Sequence, residues 1–215
     1  MGDREKILNR IRLSFDKNGS RGQQESTFFI SRDYNKTSVE QKQHVTAKFA
    51  ERVGQYKANV HIVSRSELIS TIETVLQIHK VKTIVVPGAI PKAWISRDKY
   101  IVSDDDQKHL GVEELDNIDA VLTGCTAAIA QTGTIILNGR FQQGRRVISL
   151  IPDLHICIVD KDQIFDLVPE AITVIAKYAN DPLTFISGPS ATSDIELKRV
   201  EGVHGPRNLE VIIID

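Results

Sequence analysis

Between Ile186 and Pro206 the chain reads ISGPSATSDIELKRVEGVHGP, one connection that gathers the side chains able to hold a small acid and move its protons. Gly188 frees the backbone to turn and Pro189 stiffens it, so the amides that follow take fixed directions. Ser190, Thr192 and Ser193 add hydroxyl donors. Ser193 and Glu196, three residues apart, have the spacing of a capping box, which predicts a helix starting at DIELKRV. A helix start offers unpaired N–H groups and a partial positive charge, so hydroxyls there make a seat for a carboxylate or phosphate. The same spacing also serves a plain helix cap with no ligand. Asp194 and Glu196 lie two apart and diverge on a helix, so they do not form an acid and base pair on one face. His204, followed by Gly205 and Pro206, is placed either to exchange a proton with a bound acid near neutral pH or to tie the turn to a carbonyl.

A second polar focus is Thr132-Gly133-Thr134 in TGCTAAIAQTGTIILN, where glycine permits a tight turn or the close approach of a ligand, and where a simple link between two strands is the plainer reading. His155 in IPDLHICIVD is either a site residue or a core histidine bonded to backbone. Cys125 and Cys157 sit in apolar runs at no metal-ligand spacing and read as buried reduced thiols. The phosphate-binding motifs GxGxxG and GxxxxGKT are absent, as are HExxH and GxSxG.

The elements that must position these residues alternate along the chain. DREKILNRIRLSF carries Ile7, Leu8, Ile11 and Leu13 at helical spacing, and a polar stretch from about Asn18 to Thr37 follows it, which predicts an N-terminal helix and arm over residues 1–37. The remainder, 38–215, begins with a helix over VEQKQHVTAKFAERVGQY whose stripe is Val39, Val45, Phe49 and Val53. NVHIV, KTIVVPG, DAVLTG, TIILNG, LHICIVD, LTFIS and NLEVIIID then read as strands, with helices over SRSELISTIETVLQIHK and QIFDLVPEAITVIAKY. Continuous Val, Ile and Leu runs mean strands covered on both faces, and the helices between them imply crossovers. The expectation is an α/β fold with a mostly parallel sheet and flanking helices. Ligands of such sheets bind beyond the carboxyl ends of the strands, which directs attention to PGAIP, QTGT and the loop after LTFIS.

With 27 basic against 28 acidic side chains there is no excess of positive charge for nucleic acid. No run approaches the ~18 apolar residues of a membrane span, and MGDREKILNR lacks the apolar core of a signal peptide, so the expectation is a cytoplasmic protein.

TGCTAAIAQTGTIIL, IPDLHICIVD, ISGPSATSDIELKRVEGVHGP and NLEVIIID, in this order, resemble the LUD domain family of the lactate-utilization proteins, in its small form without an iron–sulfur cluster. The opening REKILNRIRLSF is similar to the N-terminal helix of that form. The likeness is dense from about Ile118 to Asp215 and a matter of pattern before that. It implies a bacterial protein of the system that oxidises lactate to pyruvate, acting beside two iron–sulfur partner subunits. It also implies a sheet like those of ribose-phosphate isomerase and coenzyme A transferase (NagB/RpiA/CoA transferase-like), which seat anions at loop-rich strand ends. Gln131 stands where the family commonly has an acidic residue before Thr-Gly, and TSDIE replaces the usual TADIE.

The resemblance and the residues together point to Thr132, Gly133, Thr134, His155, Gly188, Pro189, Ser190, Thr192, Ser193, His204 and Gly205 as ligand contacts, with His204, Asp194 and Glu196 as the candidates for catalysis. No metal or cofactor is expected. A small carboxylate and the iron–sulfur subunits are the expected partners, with self-association left open and no role for nucleic acid or membrane. Two other readings stand beside this one: an independent isomerase or acyl-transfer enzyme acting on a small carboxylate or sugar phosphate, and a scaffold subunit.

Overall fold

Apolar residues spaced three and four apart need a covered face, and the N-terminal segment has them. In the computed structural model, which describes residues 2–17, 33–95, 100–104, 109–193, 199–202 and 204–215, contacts divide the chain into Met1–Tyr34 and Asn35–Asp215. The first unit holds helix α1 (Asp3–Lys17), with Asp3 and Glu5 in the first turn, where the helix dipole favours negative charge. Ile7, Leu8, Ile11 and Leu13 are all exposed on it. An amphipathic helix of this kind stabilises something it docks on. Deleting residues 1–34 should therefore leave a domain that melts cooperatively while weakening self-association or partner binding. Loss of the cooperative transition in a calorimetric scan would instead make α1 part of the core.

In the second unit the elements follow in order: α2 (Lys42–Gln55), β1 (Asn59–Val63), α3 (Leu68–Ile78), β2 (Thr83–Pro87), β3 (Tyr100–Asp104), α4 (Val112–Asp116), β4 (Ala120–Thr123), β5 (Ala127–Ile129), β6 (Thr134–Leu137), β7 (Leu154–Asp160), β8 (Ile164–Phe165), α5 (Val168–Ile175), β9 (Thr184–Ile186), β10 (Ala191–Ser193), β11 (Arg199–Glu201) and β12 (Asn208–Ile214). Short 3₁₀ turns at Phe141–Gln143 and Arg146–Ser149 lie between β6 and β7. Among the described residues no helix is long and apolar enough to cross a membrane.

Six strands form one parallel sheet in the order β1-β12-β7-β4-β2-β3. This is the mostly parallel α/β sheet that the Val/Ile/Leu runs predict. Side chains alternate across it. Leu154, Ile156 and Ile158 of β7 join Ile84, Leu122 and Ile212 in a core against Leu68, Ile72, Val75 and Leu76 of α3. Cys157 and Val159 face the other way, into a core with Val45, Phe49 and Val53 of α2 and Ala128, Ile135 and Leu137. The last three belong to a second sheet of four strands, β8-β5-β6-β9, whose β5-β6 and β6-β9 pairs are antiparallel. Its far face packs on Ala171 and Ile175 of α5.

TIIL and TFI thus lie outside the parallel sheet that continuous apolar runs suggest for them. They are buried by stacking one sheet on another, which leaves the same sequence signature as a helix on each face. Val39, expected on the buried stripe of α2, is 99% exposed because the helix begins three residues after it. The helix expected over QIFDLVPEAITVIAKY starts at Val168, since Ile164 and Phe165 pair with Ala128 and Ile129 as β8.

Of the helix predicted over DIELKRV, residues 194–198 lie outside the described residues, and Arg199 and Val200 belong to strand β11. Ala191–Ser193 pairs antiparallel with Arg199–Glu201, in the register Ala191↔Glu201, Thr192↔Val200 and Ser193↔Arg199. The base of this hairpin is fixed by Ser190, whose N–H donates to Pro206 O at 2.8 Å and whose C=O accepts from Gly202 N at 3.0 Å. Asp194 and Glu196 lie outside the described residues.

Candidate functional site

β9 ends at Ile186, and the chain turns back through Gly188, whose φ of +82° suits a residue without Cβ. A Cβ there would meet Tyr56 Cβ at 2.5 Å, so the loop runs in contact with the end of α2. Gly133, with φ +60°, likewise approaches the backbone of Arg52 and Val53 in α2. Two polar loops far apart in sequence are therefore seated on one helix. Their hydroxyls join: Thr132 Oγ1 lies 2.7 Å from Thr134 Oγ1, which lies 2.8 Å from Ser187 Oγ.

Beside this chain of hydroxyls is a cleft of about 220 Å³, lined among others by Arg146, Ser149, His155, Thr184, Ser187, Gly188, Ser190 and Pro206. His155 faces it because β7 alternates; Leu154 and Ile156 take the opposite face. Leu209 of β12, the register partner of His155, forms an apolar part of the wall. Both are near the amino ends of their strands, so this cleft lies at the end of the parallel sheet opposite to the one expected. The reason is the second sheet, which carries the loop after β9 back to the amino ends of β7 and β12.

His155 is 1% exposed, and its Nε2 lies 2.8 Å from Thr123 Oγ1. Burial holds its pKa down to about 4, so the ring is neutral at physiological pH. It offers the cleft a hydrogen-bonding group without charge. Ser149, also buried, donates its hydroxyl to Arg146 O at 2.9 Å, which holds the 3₁₀ turn that carries Arg146. Among the described residues no carboxylate pairs with the Arg146 guanidinium, and no side chain lining the cleft is acidic. Arg146 is exposed, and an exposed cation that lines a cleft together with hydroxyls, a neutral imidazole and apolar side chains suits a small monocarboxylate.

Of the other predicted contacts, Ser190 and the His204 turn come together: His204 N donates to Ser190 Oγ at 3.2 Å. The histidine's backbone, with its side chain exposed, makes this link. Gly205 packs beside Ser190, its Cβ position 3.3 Å from Ser190 Cβ. Thr134 is buried, and Pro189 is buried within the loop. Thr192 and Ser193 lie in β10, and their side chains fall outside the described ones. Gln131, at the family's usual acidic position, is exposed at the turn, and its Oε1 accepts from Val168 N at 3.5 Å.

The loop PGAIP, which does follow a strand of the parallel sheet, lines a different cleft of about 450 Å³ with Asp104, His109, Arg140, Phe141 and Arg145. Its strongest charges are consumed internally. Arg145 grips Asp104 through Nε at 2.9 Å and Nη2 at 2.5 Å, and Leu110 N donates to the same carboxylate at 2.9 Å. Burial alone would raise the Asp104 pKa, but these bonds outweigh it and hold the carboxyl below its ordinary range. Arg140 pairs with Asp181. The contrast favours the amino-end cleft as the place for an anion, because there the cation is unspent. Sequence reading missed Thr123, Arg146 and Ser149. The signal available was the Arg145-Arg146 pair ahead of β7, whose two members turn to different clefts.

Cys125 and Cys157 are buried and free, as the apolar runs predict. Burial raises both thiols, Cys157 to about 12, and Cys125 is raised further by its neighbour Cys157. The thiolate is the reactive form, so neither should react with Ellman's reagent at pH 8 in the native protein, while both should react once it is denatured. Fast native labelling would contradict the burial.

Residues 46–214 match the LUD domain. The chain is 47% identical over 169 residues to "Lactate utilization protein C" of Deinococcus radiodurans, covering 78% of each chain. It is 28% identical over 156 residues to a protein of the same name from Anoxybacillus flavithermus, covering 69% of this chain and 70% of that one. A crystal structure of a DUF162 family protein from Deinococcus radiodurans superposes with a TM-score of 0.71 at 39% identity, over 82% of this chain and 99% of that one. The match runs from within α2 to the last strand and takes in both sheets and every residue that lines the amino-end cleft, and by it this chain belongs to the LUD domain family.

Proposed function

We propose that this chain is a component of a bacterial lactate-utilization system, without a cluster of its own, that binds a small 2-hydroxy or 2-oxo monocarboxylate in the amino-end cleft and acts beside iron–sulfur subunits in the cytoplasm. The observation that carries this reading is Arg146, which among the described residues has no carboxylate partner and lines a cleft of about 220 Å³ with no acidic side chain among its described lining. The volume suits an acid of lactate or pyruvate size. The similarity to proteins named for lactate utilization supports the same class of ligand.

In this reading Arg146 takes the carboxylate, the hydroxyls of Ser187 and Ser190 meet the 2-oxygen, and the neutral His155 fixes the orientation without repelling a cationic or anionic neighbour. Ser190 also anchors the His204 turn, so a bound acid would stiffen the loop after β9. Independent isomerase or acyl-transfer chemistry finds less support, since no described carboxylate faces the cleft as base or nucleophile. Acid binding should show in the melting temperature. An acid at 100 times its dissociation constant adds about 2.7 kcal/mol, or roughly 5–10 °C for a domain of this size. Lactate or pyruvate should give that shift, lactamide should not, and Arg146→Gln should abolish it while leaving the unliganded melt within about 1 °C. A shift that survives Arg146→Gln would sink the reading.

A further inference from the structure

β9 is the outermost strand of its sheet. One side pairs with β6, in the register Ile135↔Ile186, Ile136↔Phe185 and Leu137↔Thr184. Among the described residues no strand pairs with the other side. The cleft is lined by Thr184, Phe185, Ile186 and every residue after them through Ser190. Side chains of a strand alternate, so a wall made from a strand's face would show every second residue. Consecutive residues mean that the edge itself, with its N–H and C=O groups, borders the cleft. An unpaired edge is a template for one more strand, and proteins that do not use one usually cover or charge it. Here Phe185, on that edge, is an uncharged residue exposed at 52%.

We infer that the cleft receives the carboxyl terminus of a polypeptide, laid as a short extra strand along β9 with its α-carboxylate on Arg146. The inference rests on the carboxylate reading of Arg146 and adds a second class of carboxylate that the same cleft can take. The edge reads the backbone, the unspent guanidinium reads the free terminus, and Leu150 and Leu209 give the last side chain an apolar wall. Charge complementarity asks for a carboxylate beside the added strand, and a chain end supplies one whatever its side chains, whereas an internal segment needs an Asp or Glu at that position. Pro182 and Pro189 flank the three residues of β9, so pairing is confined to about three residues of the partner. The volume of about 220 Å³ holds one terminal residue and excludes a large cofactor.

The test is fluorescence anisotropy on the full chain with three labelled forms of the hexapeptide Gly-Ser-Thr-Val-Thr-Val: free acid, carboxamide, and free acid N-methylated at the penultimate residue. The free acid should bind. The carboxamide should bind at least about tenfold more weakly, as loss of a charge-assisted bond implies. The N-methyl form should weaken similarly, because it cannot donate to the edge, and Arg146→Gln should equalise acid and carboxamide. Equal binding of acid and carboxamide to the unaltered chain overturns the inference. So does self-association of the chain alone that blocks the peptide, which would assign the edge to a second copy. If lactate shifts the melt but no peptide binds, the terminus is wrong and the small-acid reading stands; if neither binds, both fail.

Discussion

Lowering the pH from about 6.5 to about 4 should remove roughly 3 kcal/mol of native stability through His155 alone. The ring is 1% exposed, and burial holds its folded pKa near 4, against an ordinary value of 6.5. Above pH 6.5 the ring is neutral in both native and unfolded chains and the contribution is constant. Between 6.5 and 4 the unfolded chain binds a proton that the native protein refuses, so the stability of the fold drops by up to about 1.4 kcal/mol per pH unit. Below about 4 both states are protonated and the loss levels off. Carboxylates such as Asp104 and Glu210, whose bonds hold them below their ordinary range, add further losses at the acidic end. A His155→Gln variant keeps those losses and removes the histidine's. Urea melts at pH 7, 5.5 and 4 should therefore show the native chain losing roughly 3 kcal/mol more than the variant; parallel losses would mean that His155 takes a proton in the folded state.

Gly188→Ala should cost roughly 2–5 kcal/mol and abolish acid binding together with stability. Its φ of +82° is strained for any L side chain, and the added methyl would sit 2.5 Å from Tyr56 Cβ and 2.8 Å from Tyr56 O. The loop would have to leave α2, carrying Ser187 and Ser190 away from Arg146. Gly205→Ala is the matched control: its Cβ would meet the Ser190 side chain at 3.3 Å and Leu150 O at 3.9 Å, and its φ lies outside the left-handed region, so the loss should stay below about 1 kcal/mol. Chemical denaturation of the pair measures the difference. Equal stabilities would mean that the loop after β9 yields freely and does not preset the cleft.

Much of the scaffold is legible in residue order. Val45, Phe49 and Val53 repeat every four residues and do bury one face of α2. Ser64 and Glu67 do meet ahead of α3, Ser64 N and Oγ donating to Glu67 Oε2 at 2.9 and 2.6 Å, although the helix itself starts at Leu68. The continuous apolar runs of β2, β4, β7 and β12 are central parallel strands. β3, in YIVSD, and the five-residue α4 carry too little periodicity to be seen. Whether TIIL and TFI belong to the first sheet or a second depends on which neighbours they pair with, and an apolar run does not encode that. The pairing of Ala191–Ser193 with Arg199–Glu201 shows the same limit, since it depends on neighbours that the local sequence does not name, with Ser190 bonded to Gly202 and Pro206. Glu210 hides in an apolar strand, yet its carboxylate is held by Asn59, His61 and His79 at 2.7, 2.8 and 2.7 Å.

The candidate site was legible in its hydroxyls and glycines and illegible in its charge. Ser190 and the His204 turn do meet, and Thr132, Thr134 and Ser187 form one hydrogen-bonded row. Arg146 carries no local pattern that separates it from Arg145. Only the fold divides them, giving one arginine a buried carboxylate and leaving the other unpaired. The rule that ligands sit at carboxyl strand ends directs attention to the cleft at PGAIP rather than to the amino-end one, because it presumes a single sheet.

The most direct measurement of where the acid goes is a crystal structure of the full chain soaked with L-lactate or pyruvate. The predicted result is a carboxylate within hydrogen-bonding distance of the Arg146 guanidinium, its 2-oxygen toward Ser187 or Ser190, and the loop after β9 ordered around it. An acid seated instead against Gly88 and Phe141 at the carboxyl ends of the parallel sheet, with the Arg146 cleft empty, would contradict the account.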